Sequence, residues 1–301
     1  KMDWTLTKSW ALWMRTERES ERKSDPMIIG DFKQISSICR TCQIDRVIVA
    51  LDERRGSLPL NELLQCRLKG IHVDDGISFR ESLLGKLSVE HLPPSAIIFS
   101  NGFRGVMVYK GIKRVFDLLA SLFGIVLFLP LFVLIALAIK LDSRGPVFYR
   151  QERVGQDGRL FSLIKFRSMT VDAEKDGPVW AVVNDQRVTR VGRWLRKLRL
   201  DEIAQLINVI RGEMSLVGPR PERPYFVRKL EKEIPFYCHR HAVKPGITGW
   251  AQILYPYGAT REDAQEKLKY DLYYIKHLSP IMDLRIITET AKIVLLGRGA
   301  R

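Results

Sequence analysis

Two adjacent carboxylates, Asp201 and Glu202, stand near the start of the segment Arg199-Leu200-Asp201-Glu202-Ile203-Ala204-Gln205-Leu206-Ile207-Asn208-Val209-Ile210-Arg211-Gly212, and Val217-Gly218-Pro219-Arg220-Pro221 follows closely. Ile203, Leu206, Ile207 and Ile210 recur at i, i+3, i+4 and i+7, which predicts an amphipathic helix with one buried face. Asp201 sits where the N-cap belongs and Gly212 where the helix stops. The free N–H groups and macrodipole of such a terminus favour negative charge, either a carboxylate or a bound phosphate. Arg196, Arg199, Arg211 and Arg220 bring more positive charge than one capping carboxylate needs. On a helix, neighbouring side chains point about 100° apart. One carboxylate is then free to attack a substrate while the other holds a metal ion. Alone, such a pair is in most proteins only a cap and its neighbour.

The elements around it decide. The 301 residues suffice for two modest domains with a real core. Lys and Arg number 49 against 34 Asp and Glu, a net charge of +15. That excess favours an anionic partner: nucleic acid, an anionic membrane surface or a phosphorylated substrate. Cys39, Cys42, Cys66 and Cys238 are too few and too scattered for a disulfide framework. Cys39-Arg40-Thr41-Cys42 is a lone CxxC, so free thiols in a reducing cytosol are expected. His239 and His241 resemble a metal pair only superficially and are expected at the surface or core edge. Helix-turn-helix, zinc and RNP patterns are lacking, which sets nucleic acid aside as a partner.

No cleavable signal peptide is evident at the start. Residues 1–26 place Trp4, Trp10 and Trp13 in a basic amphipathic stretch followed by alternating charges. An interfacial helix, the end of an upstream membrane region and a stretch extraneous to the fold all fit. From 27 to 108 the pattern alternates: strands at Ile28-Ile29, Val47–Leu51, Ile71–Val73 and Ala96–Phe99, with helices over Phe32–Gln43 and Leu60–Lys69. This predicts a small, partial Rossmann-like sheet without a dinucleotide fingerprint.

Leu118–Ile139 is 22 residues without a charge, long enough for a hydrocarbon core of about 30 Å. Pro130 near its middle removes a donor and disfavours a straight helix. Basic residues flank both ends: Arg104, Lys110, Lys113 and Arg114 before, Lys140, Arg144, Arg150 and Arg153 after. The positive-inside rule puts both ends in the cytoplasm. A helix broken at Pro130, entering and leaving by one face over residues 109–145, satisfies both facts. Beyond it, Pro146–Gly155 runs from a strand into a turn, and Phe161–Met169 is a strand with Lys165 and Arg167 on one face. Asp172–Val183 reads as a polar loop, and Arg187–Leu198 as a basic amphipathic helix suited to a membrane surface or a phosphate-rich ligand. Val243–Gln252 reads as a loop. Arg261–His277 and Ile281–Leu296 are amphipathic helices, with apolar faces Leu268, Leu272, Ile275 and Leu284, Ile287, Ala291, Leu295.

Five motifs in order then carry a resemblance: Lys113-Arg114-Val115-Phe116-Asp117, Lys165-Phe166-Arg167-Ser168-Met169, Leu200-Asp201-Glu202, Met214-Ser215-Leu216-Val217-Gly218-Pro219-Arg220-Pro221 and Pro245-Gly246-Ile247-Thr248-Gly249-Trp250-Ala251-Gln252. From about Lys113 onward the chain resembles the bacterial sugar transferases, the monotopic phosphoglycosyl transferases that begin exopolysaccharide, O-antigen and glycoprotein glycan assembly. The ending, with Tyr270-Asp271-Leu272-Tyr273-Tyr274 and Gly297-Arg298-Gly299-Ala300-Arg301, is similar to the larger exopolysaccharide-linked members. The resemblance implies transfer of a sugar-1-phosphate from a UDP-sugar to polyprenyl (undecaprenyl) phosphate, with release of UMP. It implies Asp201 as nucleophile and Glu202 as Mg²⁺ ligand, with Mg²⁺ as cofactor. Lys165, Arg167, Arg196 and Arg220 match phosphate-holding positions, and Asp271 an active-site carboxylate. Residues 146–301 form the catalytic domain, so the expected fold is α/β: a mixed α+β catalytic domain, a re-entrant membrane helix and a partial Rossmann-like domain. The expected place is the cytoplasmic face of the bacterial inner membrane, on anionic lipid, and larger relatives imply a homodimer. One departure stands out: Leu129 occupies the place before Pro130 where the family often has Ser. The rival reading is a single-pass membrane protein with a non-catalytic cytoplasmic binding domain.

Overall fold

The computed structural model describes residues 31, 34–50, 58–87, 106–173, 185–256, 258 and 260–296. The chain divides after Gly85 into two units. In the first, β1 (Arg46–Val49) and β2 (His72–Asp75) pair in parallel. The helix between them is α2 (Leu60–Leu68), with α1 (Ile35–Thr41) before and α3 (Gly76–Leu84) after. Ile35, Cys39, Leu63 and Cys66 form its small core against Val47, Val49 and Val73. Sequence alternation gave these elements except α3, which starts where the Asp75 side chain accepts from Ser78 N. The strands expected at Ile28-Ile29 and Ala96–Phe99, and the whole of residues 1–26, lie outside the described residues. One β-α-β unit is therefore what the described residues hold of the Rossmann-like expectation.

The second unit begins with α4 (Val106–Asp142), 37 residues long. It is long and apolar enough to cross a membrane, and most of its apolar surface is exposed. The interruption expected at Pro130 does not interrupt the secondary structure: α4 is helical on both sides of the proline, which sits exposed within it. Both ends of α4 are built into the same fold. Near its start, Tyr109 and Lys113 donate to Asp283 Oδ2, Arg114 donates to the Val209 and Ile210 carbonyls, and Asp117 Oδ1 accepts from Leu216 N. Near its end, Ile135 and Ile139 join Ile164, Phe166 and Leu195 in a core cluster, and Asp142 Oδ2 accepts from Val191 N. Between them the run from Val126 to Pro130 is exposed.

The hairpin β3 (Phe148–Val154) and β4 (Leu160–Phe166) follows, antiparallel, turning where Asp157 and Gly158 adopt positive φ. Next come α5 (Arg190–Lys197), the 3₁₀ turn Leu200–Gln205, α6 (Leu206–Arg211) and β5 (Ser215–Val217). After α7 (Pro224–Glu233) and the 3₁₀ turn Tyr237–Ala242 lies β6 (Gly246–Thr248), parallel to β5. Then α8 (Trp250–Leu254), α9 (Arg261–Lys276) and α10 (Pro280–Leu295) close the chain. The segment Val243–Gln252, read as a loop, is thus a strand and a helix. Its glycines serve close packing: a Cβ on Gly246 would lie 2.1 Å from Gly218 N, and one on Gly218 would lie 2.4 Å from Lys244 O.

Local chemistry explains the helix ends. Thr260 and Asp263 form a capping box for α9, Ser279 caps α10 ahead of Pro280, and Thr189 caps α5. The buried face of α9 holds Leu268, Leu272 and Ile275, as expected. That of α10 does not follow expectation. Met282, Asp283 and Ile286 are buried while Leu284 is 60 % exposed. Asp283 goes inward because Tyr109, Lys113 and Tyr274 satisfy its carboxylate there, and a polar residue on the core face hides that face from a hydrophobicity count.

Candidate active site

Asp201 and Glu202 do not open an α-helix. After α5 the backbone turns at Arg199, which has φ 55°, and residues 200–205 form a 3₁₀ turn before α6 begins at Leu206. A left-handed arginine costs of order 1 kcal/mol and marks a site where geometry outranks local comfort. Asp201 is accordingly no N-cap, and helix-terminus electrostatics are not what holds the pair. Gly212 does end α6 in the left-handed conformation expected of it.

Ion pairs hold the site instead. Lys165 on β4 reaches Glu202 Oε1 at 2.9 Å, and Arg220, just after β5, reaches the same oxygen at 2.7 Å. The strand is fixed against α6 by the fully buried Asn208, whose Oδ1 accepts from Ile164 N while its Nδ2 donates to Ser162 O. Burial disfavours the charged form of Glu202, but Arg220 and Lys165 outweigh it and hold the carboxyl well below its usual range. Asp201 goes the other way. Its burial raises the pKa, with Glu202 adding repulsion against the pull of Lys165, Arg220 and Arg196. Two adjacent carboxylates are thereby differentiated: one firmly anionic, the other more basic than an ordinary aspartate.

All seven side chains expected at the site, Asp201, Glu202, Lys165, Arg167, Arg196, Arg220 and Asp271, line one cavity of about 1250 Å³. Eleven basic side chains but six acidic ones line it, so it suits an anion larger than a single phosphate. Arg199 lines it too, whereas Arg211, at the far end of α6, does not. Arg167 is buried and donates from Nη2 to the carbonyl and hydroxyl of Ser143 at the end of α4, so it also ties the apolar helix to the cavity. Asp271, 2 % exposed, lies 2.7 Å from Arg240 Nη2, and burial pushes its carboxyl up to about 6 despite that arginine.

Arg240 was not legible in the sequence. It is buried in the 3₁₀ turn Tyr237–Ala242, donates to the Tyr237 hydroxyl, and from Nη2 donates to the Arg220 carbonyl. It therefore joins Asp271 to the backbone of the residue that grips Glu202. A 3₁₀ turn has no long hydrophobic period to advertise an inward side chain. Beside it, burial and the Arg240 charge hold the His241 imidazole down at about 4, and His239 is exposed. Among the described residues no three His, Cys, Asp or Glu side chains cluster as a metal cage. Mg²⁺ asks for less, commonly one or two carboxylates with water and substrate phosphates. The Asp201–Glu202 pair fits that donor set.

The family model described as bacterial sugar transferase matches residues 108–297, from α4 through α10. The chain belongs to the bacterial sugar transferase family. Its family region thus contains the apolar helix from residue 108 onward and every residue of the cavity described above. Among curated relatives, the UDP-N-acetylgalactosamine-undecaprenyl-phosphate N-acetylgalactosaminephosphotransferase of Aeromonas hydrophila is 44 % identical over 239 residues, covering 79 % of this chain and 56 % of that protein. The UDP-glucose:undecaprenyl-phosphate glucose-1-phosphate transferase of Klebsiella pneumoniae is 36 % identical over 277 residues, covering 90 % of this chain and 59 % of that one. The exopolysaccharide production protein PSS of Rhizobium leguminosarum bv. phaseoli is 40 % identical over 194 residues, 62 % of this chain and 96 % of its own length. The chain spans about half the length of the first two.

Proposed function

We propose that this bacterial sugar transferase moves a sugar-1-phosphate from a UDP-sugar to polyprenyl phosphate, through a covalent intermediate on Asp201. The observation that carries the proposal is the division of labour between the two carboxylates in a basic cavity beside an apolar helix. Glu202 is fixed as an anion by Lys165 and Arg220, while Asp201 is buried, more basic and surrounded by the charges a diphosphate needs. The relatives named above support the substrate class.

In the first step an Asp201 carboxylate oxygen attacks the sugar-bearing phosphorus of the donor. The phosphoanhydride bond breaks, and UMP leaves with the bonding pair. In the second, a polyprenyl phosphate oxygen attacks the same phosphorus, the acyl phosphate bond breaks, and Asp201 returns as a carboxylate. Arg196, Arg220 and Lys165 hold phosphate oxygens, the guanidinium groups offering paired donors. Mg²⁺ would be held by Glu202 and by the donor's own oxygens, and it supplies charge neutralisation at the diphosphate. The basic cavity by itself suits the anionic donor.

The acceptor is a lipid, and α4 supports delivery from a membrane. Both its ends dock on the catalytic fold through part-buried polar contacts, so a crossing from one side to the other would drag charged groups through hydrocarbon. A re-entrant arrangement, with the middle around Pro130 sunk in the cytoplasmic leaflet, needs no such transfer. On α5, exposed Trp194 and Leu198 beside Arg190, Arg193 and Lys197 suit an anionic lipid surface. Single cysteines at the exposed Lys110 and Arg144 are expected to label from the same, cytoplasmic side of inverted vesicles; labelling from opposite sides would establish a single-pass helix instead.

The activity itself is tested by incubating the full chain with a panel of UDP-sugars and undecaprenyl phosphate and measuring UMP. At least one donor is expected to give acceptor-dependent, multiple-turnover UMP release. A chain that binds UDP-sugars yet releases no UMP with any of them would contradict the proposal.

A further inference from the structure

The transfer chemistry proposed above, on which this inference rests, requires three groups to find places around one phosphorus. Asp201 attacks opposite the leaving UMP, and the lipid phosphate later attacks opposite Asp201. UMP and lipid phosphate therefore use the same side of the phosphorus in turn. The sugar alone stays through both steps, and it needs a wall of its own.

The lipid has its approach at the root of α4, where Pro146, Phe148 and Tyr149 line the cavity just beyond the apolar helix. The wall built from α8 and α9 has a different character. Gln252, Tyr255, Thr260 and Lys267 line it. Gln252 Nε2 is shut away from water and has no hydrogen-bond partner among the described residues. A buried amide donor left unmet is costly, and an acceptor oxygen on a ligand relieves that cost. Its neighbours are held in place. The Tyr255 hydroxyl donates to Asp263 Oδ1 at 2.9 Å, and Lys267 Nζ donates to the Gly258 carbonyl at 2.6 Å. Asp263 is itself part of the capping box of α9, so the tyrosine is braced by the end of a sixteen-residue helix. A braced aromatic ring and an unmet amide donor lining one cavity match a hexose, which offers an apolar ring face and a rim of acceptor oxygens.

We propose that the α8–α9 wall is the sugar subsite, with Gln252 Nε2 donating to a ring-substituent oxygen of the transferred hexose and Tyr255 lying against its face. Discrimination between donors is then exercised here, since a site built to hydrogen-bond one substituent rejects an isomer that leaves the donor unmet.

The test compares the wild-type chain with Gln252→Ala, using UDP-glucose, UDP-galactose and their N-acetylated counterparts with undecaprenyl phosphate, and measures inhibition by UMP, which carries no sugar. Gln252→Ala is expected to lower kcat/KM for the preferred donor by about ten- to hundredfold and to compress the preference among donors. The UMP inhibition constant should stay within about twofold, because an unmodified nucleotide makes no contact whose loss is worth more. Where alanine lowers the melting temperature, Gln252→Glu keeps the shape and carries the same expectation. A UMP inhibition constant that rises in parallel with the loss of kcat/KM would assign the wall to the nucleoside and overturn the proposal. So would an unchanged order and spread of donor preference. Absence of UMP release by the wild type with every donor is a different failure, that of the transfer chemistry itself.

Discussion

Asp201→Asn is expected to lower the rate of UMP release by about four orders of magnitude or more, the scale at which loss of a covalent nucleophile registers. The substitution keeps the volume and removes the charge and the attacking lone pair. Its fold should survive, because Asp201 is a buried carboxylate whose ionisation burial already opposes. The same burial sets a pH expectation for the wild type. Asp201 must be deprotonated to attack, and its pKa lies above the ordinary aspartate value. In the metal-free chain the Asp201 carboxyl should therefore take up its proton above the value of about 4 usual for an aspartate, as an NMR titration without Mg²⁺ would read. Rates for Asp201→Asn within tenfold of wild type would end the nucleophile assignment, whatever else in the site is correct.

Arg240→Met is the variant with the largest expected effect on stability. It removes the partner of Asp271, which is 2 % exposed, and leaves a carboxylate in the interior with its Arg240 contact gone. Breaking a buried pair from one side costs about 3–5 kcal/mol, and a thermal or denaturant unfolding curve reads that directly. Catalysis should fall further than the unfolded fraction explains, because Arg240 also donates to the Arg220 carbonyl and Arg220 grips Glu202. The double variant Arg240→Met with Asp271→Leu separates the two roles. Replacing both charges by apolar groups is expected to restore much of the stability but not the rate. A double variant with wild-type turnover would reduce Arg240 to packing alone.

The contrast between Arg240 and Asp201 also shows what a sequence exposes and what it conceals. The boundaries of α9 and α10 were legible because Thr260 with Asp263 and Ser279 with Pro280 are local signals, satisfied within a few residues. The buried face of α10 was misassigned because Asp283 is satisfied inward by Tyr274 and by Tyr109 and Lys113, the last two far away in the chain. The 3₁₀ turn at Asp201 was invisible for a related reason. Neither Gly nor Pro marks the left-handed residue, and Arg199 adopts that conformation because tertiary structure demands it. Apolar periodicity put Ile203, Leu206, Ile207 and Ile210 on the buried face of one helix; Leu206 is buried and the other three only half-buried, while Ala204, Gln205, Asn208 and Val209 go inward from two shorter elements. Lys165, Arg167, Arg196, Asp201, Glu202, Arg220 and Asp271, distant from one another in the sequence, all line a single cavity. Asn208 and Arg240, which hold that cavity in shape, gave no signal of their own, since a supporting side chain is defined by its partners.

Everything in the proposed mechanism passes through a phosphosugar carried by Asp201, and that species is directly measurable. The full chain is mixed with Mg²⁺ and a UDP-sugar it accepts, without polyprenyl phosphate, and its intact mass is recorded. The account predicts one added sugar phosphate per chain, accompanied by one equivalent of UMP, mapped to Asp201 and discharged when undecaprenyl phosphate is supplied. UMP formed only when both substrates are present, with the protein mass unchanged throughout, would contradict it and point to direct attack of the lipid phosphate on the donor.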